Sequence, residues 1–236
     1  MKRTEVIGRI VQALKPRTYL EIGVWNGKVF LGIEVAEKHA VDPKFCISLT
    51  DKLLGSIKNP TNLGNHYHEV TSDEFFRSLD TQKSPLVFDL VFVDGLHTHA
   101  QAFKDVENSL QRLSPNGIII VHDCNPPHKA VGYPAESFEA AMAANPEGWD
   151  GNWTGDVWKA IMQLRKRSDL EVFVLDCDYG VALVRKAPAI SKLPAGCPEP
   201  AAAEYEYFAA HRQQILDLRP TGYLEEFVKT VKPITG

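Results

Sequence analysis

Short apolar blocks alternate along the chain with segments in which apolar residues recur every three or four positions. The first pattern is typical of buried strands and the second of helices that bury one face. Strands are predicted at residues 18–22, 40–41, 67–70, 89–93, 118–121, 171–175 and 181–185. Helices are predicted at residues 6–14, 27–38, 73–79, 100–113, 155–167, 204–216 and 223–231. This alternation indicates an α/β fold with a mostly parallel sheet.

Turn signals and prolines divide the rest of the chain. Pro115-Asn116-Gly117 predicts a turn, and residues 176–180 predict a second turn that joins the last two strands into an antiparallel hairpin. Residues 124–153 predict a long loop that contains a short helix. Because a Pro-rich connection begins at residue 187, we predict one domain over residues 1–186 and a helical extension over residues 187–236. Such an extension packs on its own domain or on a second subunit, which would make a homodimer.

The composition and charge of the chain bear on whether it binds nucleic acids or membranes. The 236 residues carry 26 Lys and Arg against 30 Asp and Glu, a formal net charge of −4. A broad nucleic-acid surface needs clustered basic residues, so no nucleic-acid partner is expected. No apolar run approaches the roughly 20 residues that span a bilayer, so no membrane partner is expected either. The four cysteines form no CxxC pair and predict reduced thiols in a cytoplasmic protein.

The first strand ends in a glycine-containing turn, with Glu21, Gly23 and Gly27 spaced as ExGxxxG. Glycine allows a backbone to approach a ligand closely and to adopt positive φ, and the helix predicted next would offer free N–H groups. Asp42 ends the second strand, 19 residues after Gly23. In doubly wound folds an acid at that place accepts the ribose hydroxyls of a nucleoside ligand. A plain turn and an exposed Asp remain the alternatives, but the combination favours a nucleoside-containing cofactor.

A second group of polar residues follows two other apolar strands. Asp94, His97 and His99 come after one strand, and His122 and Asp123 come after the next. Parallel strands deliver such residues to the same carboxyl edge of the sheet, where ligands of open α/β sheets bind. The alternative for His122 is a hydrogen-bonded, partly buried histidine, and His99 is expected on the helix that follows.

The sequence resembles the class I S-adenosylmethionine-dependent methyltransferases over most of residues 17–186. The resemblance rests on Glu21-x-Gly23-x-x-x-Gly27, on Asp42 and on the segment from Phe88 to Gly95. It points to the O-methyltransferase-like branch with an Asp-Gly-x-His segment, which includes metal-dependent macrolide-sugar enzymes and is similar to the catechol-type enzymes. The implied fold is a doubly wound, Rossmann-like, mostly parallel sheet of seven strands with an antiparallel last strand.

The resemblance also implies roles for individual residues. Gly23 and Gly27 would line the methionine part of S-adenosylmethionine, Asp42 would hold the ribose, and Ser72 would lie near the adenine. Ser72 is also a good helix N-cap in its own right. The full set of implied cofactor-binding residues is Glu21, Gly23, Trp25, Gly27, Asp42, Ser72 and Asp94.

The same resemblance implies a divalent metal, Mg²⁺ or Mn²⁺, held by Asp94, His122 and Asp123. Relatives usually have an oxygen ligand at the place of His122, and an imidazole suits Mn²⁺ better than Mg²⁺. His97, three residues after Asp94, would be the general base. The methyl acceptor would then be a hydroxyl group of a small molecule, such as a sugar or a natural product.

Two other functions are compatible with the residues. His97, His99, His122 and Asp123 have the chemistry of a hydrolase metal site, although that function leaves the glycine turn unused. The chain is also compatible with a non-catalytic module that binds the cofactor. Asp176 and Asp178 resemble a DxD metal site, for which a hairpin turn is the better interpretation, and Asp156 is a candidate N-cap of the helix at 155–167.

Overall fold

In the computed structural model, which describes residues 1–81 and 85–234, the chain divides into two units. The first unit holds Thr4–Gly95, Asp105–Ile120 and the described residues from Glu225 onward. The second unit holds Met1–Arg3, Leu96–Lys104 and Val121–Leu224.

The first unit is built on parallel strands. Its strands are β1 (Thr18–Ile22), β2 (Glu37–Val41), β3 (Asn65–His68), β4 (Phe88–Val93) and β5 (Leu113–Val121, whose last residue belongs to the second unit). Their order is β3-β2-β1-β4-β5, and the pairs β1·β2, β1·β4 and β2·β3 are parallel. All six residues of β4 are buried, as expected for an apolar strand covered on both faces. The strand order reverses between β1 and β4, and ligands of such sheets bind at this kind of point.

The helices of the first unit are α1 (Arg3–Leu14, whose first residue lies in the second unit), α2 (Leu49–Lys58), α3 (Ser72–Asp80) and most of α4 (His99–Gln111). The apolar face of α1 is buried, as its spacing predicts. Helix α2 was not predicted, although Ser48 and Asp51 form a capping box at its start. Such a box is a readable helix signal.

The second unit contains the antiparallel hairpin. Strands β6 (Leu170–Leu175) and β7 (Val181–Lys186) pair antiparallel, which confirms that prediction. A short additional strand, β8 (Leu218–Arg219), pairs parallel with β6. The prediction of seven strands with an antiparallel last strand therefore needs one correction. The described residues contain eight strands, and the last along the chain is the parallel β8.

The remaining helices are α5 (Phe138–Ala144), α6 (Val157–Leu164), α7 (Tyr205–Leu216) and α8 (Tyr223–Val228). Helix α5 is the short helix predicted within the long loop. In the second unit, the Trp158 ring of α6 stacks on the Phe208 ring of α7, with centroids 4.5 Å apart. The division of the chain at residue 187 stays a prediction, and the last two residues of that extension lie outside the described part. Among the described residues, no helix is both long and apolar enough to cross a membrane.

The helix predicted at residues 27–38 is wrong. Only a 3-10 turn, Phe30–Gly32, forms there, and β2 already begins at Glu37. The buried ammonium group of Lys38 donates to the carbonyls of Phe30 (3.1 Å) and Ile33 (2.8 Å), which are groups that a helix would have used internally. Burial lowers the pKa of Lys38 to about 8. Side-chain hydrogen bonds thus replace helical ones in this connection.

The turn predicted at Pro115-Asn116-Gly117 is also wrong, because these residues lie within β5. A Cβ on Gly117 would lie 2.7 Å from the Leu113 side chain and 3.1 Å from the Asp89 carbonyl oxygen. Glycine therefore allows close packing at this position, and β5 continues through Pro115-Asn116-Gly117.

Candidate active site

Gly23 follows β1 at the point where the strand order reverses. Its φ is +83°, and a Cβ there would lie 2.0 Å from the carbonyl oxygen of Asp94. The Asp94 N–H donates to the Ile22 carbonyl at 2.8 Å, so the ends of β1 and β4 are held together. Both the backbone angle and the close approach require glycine at position 23.

The turn after Gly23 contains two further residues with positive φ. Gly27 has φ +72°, and a Cβ there would lie 2.7 Å from Ile47 Cδ1. Trp25 has φ +45° and its side chain is 67% exposed. A large aromatic ring is therefore presented to solvent from the turn, which is unusual for tryptophan.

The buried carboxylate of Asp42 organises this turn. Its Oδ2 accepts the N–H groups of Val24 (2.9 Å) and Trp25 (2.8 Å), and its Oδ1 accepts the N–H of Lys44 at 2.8 Å. The prediction that a helix N-terminus leaves free N–H groups here is wrong, because the helix does not form and Asp42 takes two of the turn's amides. A carboxylate has about four acceptor positions, so one position on Oδ1 remains for a ligand hydroxyl.

Glu21 lies in the buried core rather than on the turn. Its carboxylate accepts a hydrogen bond from the Tyr19 hydroxyl at 2.6 Å. Burial raises the pKa of Tyr19 well above its ordinary value, and the negative charge of Glu21 raises it further. Tyr19 therefore stays protonated and serves as the donor.

Ser72 is the first residue of α3 and is buried. The prediction that it is the N-cap is wrong by one position. Thr71 is the N-cap, and it forms a capping box with Glu74 in which each side chain bonds the other's backbone N–H. The Ser72 side chain is therefore not needed to begin the helix.

In the second unit, His97 has an acceptor oxygen at each ring nitrogen. Nδ1 lies 2.9 Å from the Trp153 carbonyl oxygen, and Nε2 lies 3.3 Å from Asp123 Oδ2. A carbonyl can only accept, so Nδ1 carries a proton. The position between Nε2 and the carboxylate then suits a proton or a cation.

The segment around Gly155 holds His97 in place. Gly155 has φ +56°, and a Cβ there would lie 1.8 Å from the His97 carbonyl oxygen. The rings of His97 and Trp153 lie 5.4 Å apart, and the Trp153 indole N–H donates to the Tyr133 carbonyl at 2.8 Å. The unusual composition of this segment is visible in the sequence, but its contact with His97 is not.

Asp156 and His99 lie beside this segment, and one prediction for them needs correction. Asp156 occupies the predicted N-cap position of α6, but its side chain makes no cap hydrogen bond there. Its Oδ1 accepts the backbone N–H of His99 at 2.6 Å, which caps the start of α4 instead. The His99 ring, on α4 as expected, lies 2.7 Å from Gln163 Oε1. His99 is thus engaged away from His97.

Asp123 and His122 follow β5. Asp123 has φ +60°, and its Oδ1 lies 3.2 Å from His122 Nδ1 while its Oδ2 faces His97. His122 Nε2 lies 3.7 Å from Asp178 Oδ2. His122 is therefore flanked by two carboxylates, and it contacts the Asp123 oxygen that does not face His97.

Asp178 was missed as a partner of this group. It lies in the predicted turn, where φ is positive at Asp178, Tyr179 and Gly180. The backbone N–H of Arg3 donates to its carboxylate at 2.9 Å, and the Arg3 guanidinium does so at 3.2 Å. Burial opposes ionisation of Asp178, but the Arg3 hydrogen bond and the nearby positive charges outweigh it and lower its pKa. No sequence spacing indicates this contact, because 175 positions separate the two residues.

The carboxylate of Asp123 offers oxygen ligands of the kind that a divalent cation takes. His97 Nε2 and Asp123 Oδ2 lie 3.3 Å apart. Both atoms carry lone pairs when His97 is neutral, so a proton or a cation between them would remove the repulsion between these lone pairs. Asp94 precedes His97 by three residues along the chain. The carboxylate oxygens suit either Mg²⁺ or Mn²⁺, while the lone pair on His97 Nε2 is left for a proton.

Comparisons with known proteins show the fold, and a family match over part of the chain. A sequence profile of a methyltransferase domain family matches residues 20–124, which contain the glycine turn, Asp42, Asp94 and Asp123. No curated protein matches the chain.

Solved structures resemble most of the chain. The O-methyltransferase TomG of Streptomyces achromogenes, solved with S-adenosylmethionine, is 16% identical over 78% of each chain, with a TM-score of 0.52. An O-methyltransferase of Bacillus cereus, solved with S-adenosylhomocysteine, is 15% identical over 79% of this chain and 82% of its own (TM-score 0.52). A methyltransferase of Podospora anserina with S-adenosylhomocysteine bound is 22% identical over 79% of each chain (TM-score 0.51). At these identities the likeness is one of fold.

Proposed function

We propose that the protein is an S-adenosylmethionine-dependent methyltransferase that methylates a hydroxyl group of a small molecule. The match of residues 20–124 to a methyltransferase domain family and the fold shared with O-methyltransferases support this proposal. The observation that carries the proposal is the turn after β1. Gly23 is packed against the Asp94 backbone, and Asp42 holds the amides of Val24 and Trp25. This turn lies at the reversal of strand order, where a cofactor of this class is expected.

We propose that the cofactor's methionine part lies along the turn from Gly23 to Gly27, with the exposed Trp25 ring beside it. The remaining acceptor position of Asp42 would take a ribose hydroxyl. Ser72, at the start of α3 but not its cap, would lie near the adenine. Glu21 and Asp94 complete the proposed set. Glu21 acts from the core through its hydrogen bond with Tyr19.

His97 is the proposed general base. The Trp153 carbonyl keeps the ring proton on Nδ1, so the lone pair is on Nε2, the atom that would remove the acceptor's proton. A histidine that acts as a base must hold its proton on the nitrogen that faces away from the substrate. In the other tautomer, the nitrogen facing the substrate carries a proton and cannot accept one. Asp123, 3.3 Å from Nε2, stabilises the imidazolium that forms.

Asp94, His122 and Asp123 are the proposed holders of a divalent cation. His122 Nδ1 lies 3.2 Å from Asp123 Oδ1. Mn²⁺ and Mg²⁺ are the candidates. Such an ion, when bound, orients the acceptor hydroxyl and lowers its pKa.

The proposed transfer is a single displacement at the methyl carbon of S-adenosylmethionine. The hydroxyl oxygen attacks the sulfonium methyl group in line, a C–O bond forms, and the C–S bond breaks. The proton of the hydroxyl goes to His97 Nε2, and the products are a methyl ether and S-adenosylhomocysteine. Holding both substrates in a near-attack arrangement supplies much of the rate.

The acceptor pocket is proposed to lie along residues 124–153, which lead to Trp153 and so to His97. A sugar or natural-product hydroxyl is the proposed acceptor class. The cysteine pattern supports a cytoplasmic location, and the helical tail is a candidate homodimer contact. We propose no nucleic-acid and no membrane partner.

A transfer assay tests the proposed function. The protein is incubated with methyl-labelled S-adenosylmethionine and a panel of catechols, sugars and phenolic compounds, with and without Mn²⁺. Label in an alkali-stable product indicates a methyl ether, whereas alkali-labile label indicates a methyl ester. Cofactor binding without transfer to any panel member would favour the non-catalytic module. The hydrolase function is disfavoured because the His99 ring is engaged with Gln163.

A further inference from the structure

A second cluster of metal-ligating side chains lies in the first unit, on strands β2 and β3. Glu37 and His39 lie two positions apart on β2, and His66 and His68 lie two positions apart on β3. In the parallel register His39 is opposite His66, and Val41 is opposite His68. Residues two apart on a strand point to the same face, so the four side chains share one face of the sheet.

The polar atoms of this cluster are close together. His39 Nε2 lies 3.2 Å from Glu37 Oε1, and His39 Nδ1 lies 3.1 Å from His68 Nε2. The rings of His39 and His66 are nearly parallel, with centroids 4.6 Å apart. One ligand atom from each of Glu37, His39 and His66 lies within 4.8 Å of the other two.

Aromatic rings pack against part of the cluster, and another part of it is exposed to solvent. The Phe88 ring meets the His39 ring edge-on at 5.6 Å, and the Phe75 ring lies 4.8 Å from the His68 ring. His39 is buried, whereas His66 is exposed to solvent. An ion would therefore reach the cluster from the side of His66.

We propose that Glu37, His39 and His66 form a binding site for a transition-metal cation of the Zn²⁺, Ni²⁺ or Cu²⁺ class. Two imidazoles and one carboxylate are ligands that these ions prefer over Mg²⁺ and Ca²⁺. Small side-chain rotations suffice to bring ligand atoms that already lie within 4.8 Å to a common ion. The site uses none of the residues assigned to the methyl transfer.

His68 is the positioning residue of this site. A metal-binding histidine usually donates its other ring N–H to an acceptor, which fixes the tautomer that presents the lone pair to the metal. His39 meets this condition, because Nε2 faces Glu37 while Nδ1 faces His68 Nε2. Without the ion, the His39 proton can occupy Nε2 and bond Glu37. With the ion at Nε2, the proton moves to Nδ1 and bonds His68.

Calorimetric titration of the full chain with Zn²⁺ tests the proposal. It is performed in the Asp123→Asn background, so that the ion site proposed for methyl transfer does not contribute heat. We expect one Zn²⁺ per chain in this background, with affinity lowered at least tenfold by His66→Ala and by Glu37→Gln. His68→Phe should weaken binding by about 10- to 100-fold, the usual effect of losing such a supporting partner. His66 is exposed, so its removal is compatible with folding, which circular dichroism verifies for each variant.

His128→Ala is the matched control. His128 is a partly exposed histidine beside Asp150 at 3.7 Å, and its removal should leave Zn²⁺ binding unchanged. A Cu²⁺ electron paramagnetic resonance spectrum gives a second readout, since nitrogen couplings of the bound ion should be reduced in His66→Ala. Unchanged Zn²⁺ affinity and unchanged nitrogen couplings in that variant would overturn the site. Neither readout depends on methyl transfer, so the two proposals fail separately.

Discussion

His97 directs Nε2 at Oδ2 of Asp123, 3.3 Å away, and its opposite nitrogen is fixed by the Trp153 carbonyl. The arrangement separates two roles. The ring's position is set by Trp153 and Gly155, and Asp123 faces the nitrogen that would take up a proton. A residue placed in this way is expected to affect turnover rather than cofactor binding.

The first prediction concerns His97→Ala. Removing a general base typically lowers kcat by 10²- to 10⁴-fold, and we expect a loss in that range. Affinity for S-adenosylhomocysteine should stay within about twofold of the wild type, because His97 is not among the proposed cofactor residues. Steady-state kinetics and calorimetry measure the two effects. Equal losses of turnover and of cofactor affinity would contradict this assignment. His66→Ala is the control, because His66 is exposed and lies outside the residues assigned to methyl transfer.

Asp42→Asn should have the complementary effect. The substitution keeps the side chain's shape but removes the charge that accepts the Val24 and Trp25 amides. Charge-assisted hydrogen bonds of this kind contribute about 1.5–3 kcal/mol, so cofactor affinity should fall by at least about tenfold. At saturating cofactor, kcat should change little.

Asp51→Asn is the matched control for this variant. Asp51 also accepts a backbone N–H, in the capping box of α2, but it lies outside the proposed cofactor site. If it weakens cofactor binding as much as Asp42→Asn does, the effect of Asp42 is not specific to the turn.

Gly155→Ala should displace His97. The new Cβ would lie 1.8 Å from the His97 carbonyl oxygen, so the backbone on one side must shift. We expect kcat to fall at least tenfold, with stability lowered by about 1–3 kcal/mol for the strained backbone. Gly196→Ala is the control. Gly196 also has positive φ, at +74°, but no heavy atom lies within 4 Å of the position that its new Cβ would take. Equal kcat values for the two variants would show that strain alone, and not contact with His97, is responsible.

Stability should depend on pH through His68. Burial lowers the pKa of His68 to about 4, with the neighbouring His39 and His66 acting in the same direction. The unfolded chain takes up a proton near pH 6.5, which the folded chain does not take up until about pH 4. The free energy of unfolding should therefore decrease as pH falls from about 6.5 to 4.

Urea unfolding across this pH window, with a chelator present to remove metal ions, measures the effect. In His68→Phe the slope of stability against pH should be smaller, because one titrating group is absent. An unchanged slope in this variant would contradict the account of His68.

The features that depend on local pattern could be predicted from the sequence. Strand β1 has the predicted bounds, Thr18–Ile22, and the β6–β7 hairpin pairs as expected. Prediction failed where distant side chains override local preference. Lys38 is buried and bonds two carbonyls of the preceding connection, which removes the predicted helix.

In the candidate site, too, local features could be predicted and contacts with distant residues could not. The glycine turn and the positions of Asp42, His97 and Asp123 follow from strand ends, which can be read from the sequence. The partners of these residues cannot, because they come from remote segments. Trp153 lies 56 positions from His97, and Arg3 lies 175 positions from Asp178.

Calorimetric titration of the wild-type chain with S-adenosylhomocysteine, with and without Mn²⁺, tests the central claim most directly. We predict one binding site of micromolar affinity, weakened at least tenfold by Asp42→Asn. An absence of binding under either condition, in a chain that circular dichroism shows to be folded, would contradict the assignment of the turn at Gly23 as a cofactor site.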